Sequence, residues 1–220
     1  MILLFAINHA ATALVIKKRF PNTPMIWLLL SVQWVEMLWV VLNYLGVERT
    51  TTDETVRSVA DIHLAYMPYS HSIASSAIIG LAAWLIIAKL LRRPILATAV
   101  AIGILSHIAL DALTHSQDLA LVPFVWDEKI GLGLYEIPIL AFFVETAYGM
   151  FCWWYYGGGK ALLAVILLFN LANFSFFASA VSGPETLMAH HPLWVVTAVG
   201  LQIVITLALV GWFSRRDAAA

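Results

Sequence analysis

Seven times along the chain, a sparsely charged apolar run approaches the roughly 20 residues that an α-helix needs to cross a ~30 Å hydrocarbon core. The runs cover 2–16, 24–45, 71–91, 94–114, 136–156, 160–181 and 193–213, the first of them short enough to be tilted, buried by its neighbours or not fully spanning. Charge, proline and glycine interrupt the pattern at Lys17-Lys18-Arg19-Phe20-Pro21, Arg92-Arg93-Pro94 and Gly157-Gly158-Gly159-Lys160. A water-soluble domain is excluded, because hydrophobic residues make up 62% of the chain and charged residues 11%, where a soluble surface carries about 25% charged residues. The expectation is an all-α integral membrane protein, a compact bundle of about seven transmembrane helices forming one domain over residues 1–220. A formal net charge of −1 gives no basis for nucleic-acid binding. Cys152 is the only cysteine, so any metal must be held by His, Asp and Glu.

The connections alternate between tight turns and longer loops, 46–70, 116–135 and 182–192. Lys17, Lys18, Arg19, Lys89, Arg92, Arg93, Lys160, Arg215 and Arg216 all fall on the tight-turn side. The positive-inside rule then makes that side cytoplasmic, with the N-terminus outside and the C-terminus inside a plasma (inner) membrane. The seven histidines all fall between mid-membrane and the outer surface, although lysine and arginine alone set the topology. An ionisable residue within a span costs at least ~2.5 kcal/mol, so a group of them requires partners and points to function.

The sharpest pattern is His107-Ile108-Ala109-Leu110-Asp111-Ala112-Leu113-Thr114-His115, where the i, i+4, i+8 spacing places three polar groups on one helical stripe. His107 and Asp111 are one turn apart, as two ligands of one ion would be. His115 offers a proton carrier if the helix continues that far. The same residues also fit a structural reading, with an interhelical hydrogen bond from His107 and a helix-end role for Asp111. In Tyr69-Ser70-His71-Ser72, Ser70 can cap the third span and direct His71 toward the fourth. His9 is a further intramembrane candidate. Glu36 is a candidate bridging ligand or general base, with Gln33 one turn earlier as its hydrogen-bond partner. Glu145 and Glu136 are possible completions from the fifth span, and Asp61 with His63 a possible loop pair. His190-His191 reads as a solvated turn, and Gly131–Glu136 as a flexible re-entry into the fifth span.

Asn8-His9, the Gln33–Glu36 region, Ser70-His71-Ser72 and His107-x-x-x-Asp111 follow one another in an order that resembles a family of membrane-bound metal-dependent hydrolases of bacterial inner membranes. The likeness covers roughly residues 1–115. It implies a divalent ion (Zn, Mn or Fe) held by His9, His71, His107 and Asp111, with Glu36 or His115 accepting a proton. The expected substrate is amphipathic or lipid-linked, an ester or phosphoester at the outer face of the lipid bilayer. The chain departs from the family where Tyr66-Met67-Pro68-Tyr69 replaces a motif that begins with histidine, and where the second span lacks a paired aspartate. His63, His115 or Glu36 are the available substitutes. Two other functions use the same residues. One is a proton- or metal-coupled transporter, which calls for polar groups continuing toward the cytoplasmic side. The other is an accessory subunit binding haem between paired histidines such as His9 and His107.

Overall fold

Proline and charge mark where the helices begin, and their order along the chain dictates an antiparallel bundle. The computed structural model describes residues 6–126 and 128–217. Seven α-helices occur among them: α1 (Ala6–Arg19), α2 (Met25–Tyr44), α3 (Ile73–Leu85, continued by a π-helical turn Ile86–Leu90), α4 (Pro94–Thr114), α5 (Pro138–Tyr156), α6 (Lys160–Ala172) and α7 (Pro192–Asp217). Pro94, Pro138 and Pro192 each open a helix, where the missing N–H removes no intrahelical bond. Four helical stretches, Met25–Tyr44, Ile73–Leu90, Pro94–Thr114 and Pro192–Ser214, are long and apolar enough to cross a membrane; α6 is apolar but shorter. The expectation of seven full spans is therefore reduced to four by length and composition.

Two boundaries differ from expectation for identifiable reasons. Helix α1 continues past residue 16 through Lys17, Lys18 and Arg19, whose charges suit the negative end of the helix dipole; Lys17 also donates to the Thr23 carbonyl at 2.8 Å. Residues 2–5 of that run lie outside the described residues. Helix α6 stops at Ala172, nine residues before the expected 181. Here Asn170 and Asn173 turn their amides back onto the carbonyls of Ile166 and Phe169, at 2.8 and 2.7 Å, and the chain passes into a 3-10 turn.

Helix α1 is the innermost element. Its small residues Ala6, Ala10, Ala11 and Ala13 are almost fully buried, which lets α2, α5 and α7 pack closely around it. Helix α3 lies on the outside of α4, with only Ser76 and Gly80 buried in its regular part. Ile78, Leu81, Leu85 and Leu90 stand exposed there, as do Phe143 on α5 and Val204 on α7. A contiguous apolar exterior of this kind is suited to lipid, not water.

The end of the bundle remote from the lysine and arginine turns carries two small sheets that an all-α reading did not include. Strand β1 (Arg49–Thr52) pairs antiparallel with β2 (Ile62–Tyr66), with Thr51 opposite His63, and β3 (Leu119–Ala120) pairs with β4 (Lys129–Ile130). A bridge between Ser72 and Ala120 ties the second sheet to the start of α3. Gly131–Glu136 is pinned, contrary to the flexible re-entry expected. Leu132 and Gly133 donate to the carbonyls of Ala112 and His115 at 2.9 and 2.7 Å, so this segment caps α4. Gly131 has φ 157°, and a Cβ there would lie 1.9 Å from the Ser116 carbonyl oxygen, which admits only glycine.

Candidate metal centre

Helices α1, α2 and α4 converge with the segment before α3 just below the two sheets, and each contributes an ionisable side chain to one buried cluster. His9 comes from α1, Glu36 from α2, His71 from the turn before α3, and His107 and Asp111 from α4; the histidines and Asp111 are at most 2% exposed and Glu36 is 8% exposed. His107 Nε2 lies 3.2 Å from Asp111 Oδ2 and 3.4 Å from Glu36 Oε2. His71 Nε2 lies 3.0 Å from Glu36 Oε2 and 3.7 Å from Asp111 Oδ2. His9 Nε2 lies 3.4 Å from Asp111 Oδ1, and its ring stacks on that of His107 with centroids 3.8 Å apart.

Hydrogen bonding from behind decides which nitrogen each imidazole turns to the cluster. His107 Nδ1 lies 2.7 Å from the Val32 carbonyl, which can only accept, so Nδ1 carries the proton and a neutral ring presents a bare Nε2. Ser70 donates its hydroxyl to Glu48 Oε2 at 2.6 Å, and therefore accepts from His71 Nδ1–H at 2.8 Å. His71 thus also turns its Nε2 inward, toward Glu36. Glu48 Oε1 accepts the backbone N–H groups of Tyr69 and Ser70, both at 2.9 Å, which fixes the turn that carries His71. Carboxylates or carbonyls behind an imidazole are the usual way a ligand histidine is oriented.

Both inward Nε2 atoms thus face buried carboxylates, whose charge calls for a proton or a cation between them. His107 Nε2 and Asp111 Oδ2 have no hydrogen-bond partner although both are buried. Charge-assisted hydrogen bonds are about 2.7–2.9 Å long; most of the separations here, 3.2 to 3.7 Å, exceed that. They are near the roughly 3.3 Å that separates neighbouring ligand atoms around an ion with bonds of about 2.0–2.1 Å. Two sets of donor atoms, His9–His107–Asp111 and Glu36–His71–His107, each fall within 4.8 Å of one another. They share His107, whose other nitrogen is taken by Val32, so the two sets describe one centre. Two carboxylates and neutral imidazoles balance the charge of one divalent ion.

Other expected residues lie elsewhere. Helix α4 ends at Thr114 and His115 is extended, which takes it off the stripe. His115 Nδ1 meets Asp118 Oδ1 at 3.1 Å, while its ring stacks toward His71 with centroids 6.2 Å apart. Gln33 donates to the Ala6 carbonyl, not to Glu36. Ser72 caps α3 in place of Ser70, accepting from Ser75 N at 3.1 Å. Glu145 accepts from Asn8 at 2.8 Å and from Tyr135 at 2.6 Å in a separate buried network. Burial, with Glu145 beside it, holds the Tyr135 phenol well above its ordinary range, so it remains the donor. Glu136 is exposed. His63 pairs with Asp53 at 2.9 Å while Asp61 caps the turn at Ser58, and His191 stacks on Trp194. The stacked contact of His9 and His107 leaves no space for a macrocycle between them, contrary to the haem arrangement.

Glu48 escaped the sequence because it sits in a polar loop among Arg49, Asp53 and Glu54, and only its burial to 2% exposure distinguishes it. Glu48→Gln retains the shape but replaces one acceptor oxygen with an amide that cannot accept. Metal affinity is expected to fall about 10–100-fold while the fold survives, as measured by competition with a fluorescent chelator; unchanged affinity would remove Glu48 from the centre.

A bundle of apolar helices around a buried histidine–carboxylate cluster defines a polytopic membrane protein with a centre suited to a divalent cation. Residues 64–183, more than half of the chain, match the family described as YdjM inner membrane protein, and the chain belongs to that family. The match includes His71, His107, Asp111 and His115 and continues well past Ser116, where the sequence offered no specific motif; it does not reach His9, Glu36 or Glu48. No curated protein and no solved structure matches the chain.

Proposed function

We propose that this protein is a metal-dependent hydrolase of the membrane, acting on a lipid or lipid-linked ester or phosphoester. The observation that supports it most is the pair of inward Nε2 atoms of His71 and His107 facing Glu36 and Asp111 in a buried site. These four residues and His9 would hold one Zn, Mn or Fe ion. A bound ion of this kind lowers the pKa of water to about 7 and polarises a carbonyl or phosphoryl oxygen. The nearness of Glu36 Oε2 to the Nε2 atoms of His71 and His107, 3.0 and 3.4 Å, favours the ligand role for Glu36 over that of a general base. Proton acceptance then falls to His115, oriented through Nδ1 by Asp118 on the side of the two sheets. With the basic turns cytoplasmic, the centre would open toward the outer face.

The transport reading has one observation in its favour. Asn8 bonds Asn170, and Thr12 bonds the Asn8 carbonyl and the Tyr148 hydroxyl, extending polar contacts away from the cluster. Leu14, Ile16 and Leu162 fill the buried space beyond, which leaves the hydrolase reading stronger.

Protein purified in mild detergent without chelators is expected to carry about one divalent ion per chain by elemental mass spectrometry. Removing that ion is expected to abolish turnover of acyl-ester or phosphoester lipids. A chain that takes up no ion even after incubation with Zn or Mn overturns the proposal.

A further inference from the structure

Helices α2 and α3 both pack along α4 but scarcely touch each other, which leaves a groove between them of about 540 Å³. Trp27, Trp34 and Leu38 form one wall, Ile79 and Ala83 the other, and Ile104 the floor. The α2 residues recur at helical spacing, so the wall is one continuous stripe. Ser31 is the polar residue of the lining, and its hydroxyl is already donated to the Leu28 carbonyl at 2.8 Å. The groove is therefore almost wholly apolar and suits an aliphatic chain.

One end of this groove lies at the level of the candidate centre. Leu38 on α2 and Ile104 on α4 line that end, and Glu36 and His107 lie within one turn of them along the same helices. From Trp27 to Leu38 the wall extends about 16 Å at 1.5 Å per residue, close to half of a ~30 Å hydrocarbon core. We infer that the groove between α2 and α3 holds one acyl chain of the substrate lipid, running from the level of the Glu36–His107 centre toward the basic end of the bundle. A lipid bound this way has its ester or phosphoester held at the depth of the centre by a tail that never leaves the hydrocarbon. Identification of the lipid as substrate rests on the hydrolase reading, whereas occupancy by an acyl chain rests on the groove alone.

The test uses phosphatidylethanolamine with a diazirine in one acyl chain, mixed at increasing mole fraction into phosphatidylcholine nanodiscs containing the full chain. Photolabelled peptides are then mapped by mass spectrometry. Labelling of α2 and α3 at the groove is expected to saturate at low mole fraction, whereas labelling near Leu201 and Val204, exposed on α7, rises in proportion to the probe. Ala83→Trp, and independently Ala82→Phe, are expected to lower groove labelling at least tenfold while leaving the α7 labelling and bound metal unchanged. Groove labelling that rises in proportion, as at α7, or that survives both substitutions overturns the inference. A chain without metal that still labels saturably upholds the acyl site and sinks the hydrolase reading separately.

Discussion

A His107→Ala/Asp111→Ala chain is expected to elute from size exclusion as the parent does and to carry no divalent ion. His107 belongs to both sets of donor atoms, and Asp111 faces all three histidines of the cluster, so the pair leaves no complete ligand set behind. The loss has a thermal counterpart. Metal at a hundredfold excess over its Kd stabilises a chain that binds it only when folded by about 2.7 kcal/mol, and this increment is expected in the parent and absent from the double variant. His190→Ala, at an exposed turn, is the matching control and should change neither quantity. Unchanged metal content in the double variant would remove α4 from the ligand assignment.

The parts of this centre that could be read from the sequence are those governed by local spacing or by the cost of charge in lipid. His107 and Asp111 fall on one face because an α-helix repeats every ~3.6 residues, and that holds whatever packs against it. His9, Glu36 and His71 stood out because each is an ionisable residue at or within an apolar run. How far His115 follows them depended on where α4 ends, and the end is set from outside by Leu132 and Gly133 donating to its last carbonyls. The orientation of His107 depends on the Val32 carbonyl, a backbone atom that every residue possesses and no sequence pattern marks. Glu48 and Asp118 are loop acids whose roles arise only when residues 22 and 3 positions away fold onto them. The small sheets were missed for a related reason, since strands of two to five residues produce too little alternation to compete with the surrounding helical signal. The four long apolar helices were legible throughout, because length and hydropathy alone identify them.

Gly103→Ala is expected to be the most damaging single-methyl addition in the chain's membrane core. A Cβ built at Gly103 would lie 2.0 Å from Ser31 Oγ, 2.8 Å from Ser31 Cβ and 3.4 Å from the Val32 nitrogen. Turning the serine hydroxyl relieves the first contact but not the second, so α2 and α4 must separate. Overpacking of this kind costs about 1–3 kcal/mol. The larger consequence falls on the centre, because His107 lies one turn beyond Gly103 and its Nδ1 must reach the carbonyl of Val32, the residue after Ser31. Separation of the helices releases that hydrogen bond, and loss of such a partner lowers metal affinity by about 10–100-fold. A second substitution distinguishes this mechanism from general damage. Ser31→Gly removes both the Oγ and the Cβ that the new methyl meets, so Gly103→Ala/Ser31→Gly should recover most of the lost affinity, although glycine within α2 costs about 0.5–1 kcal/mol of helix stability. Metal affinity and unfolding midpoint should therefore part company in the double variant, the first returning toward the parent value and the second remaining below it. If both stay low, the close approach of α2 and α4 does not position His107; if Gly103→Ala alone leaves affinity intact, the Val32 hydrogen bond is not what orients the ring.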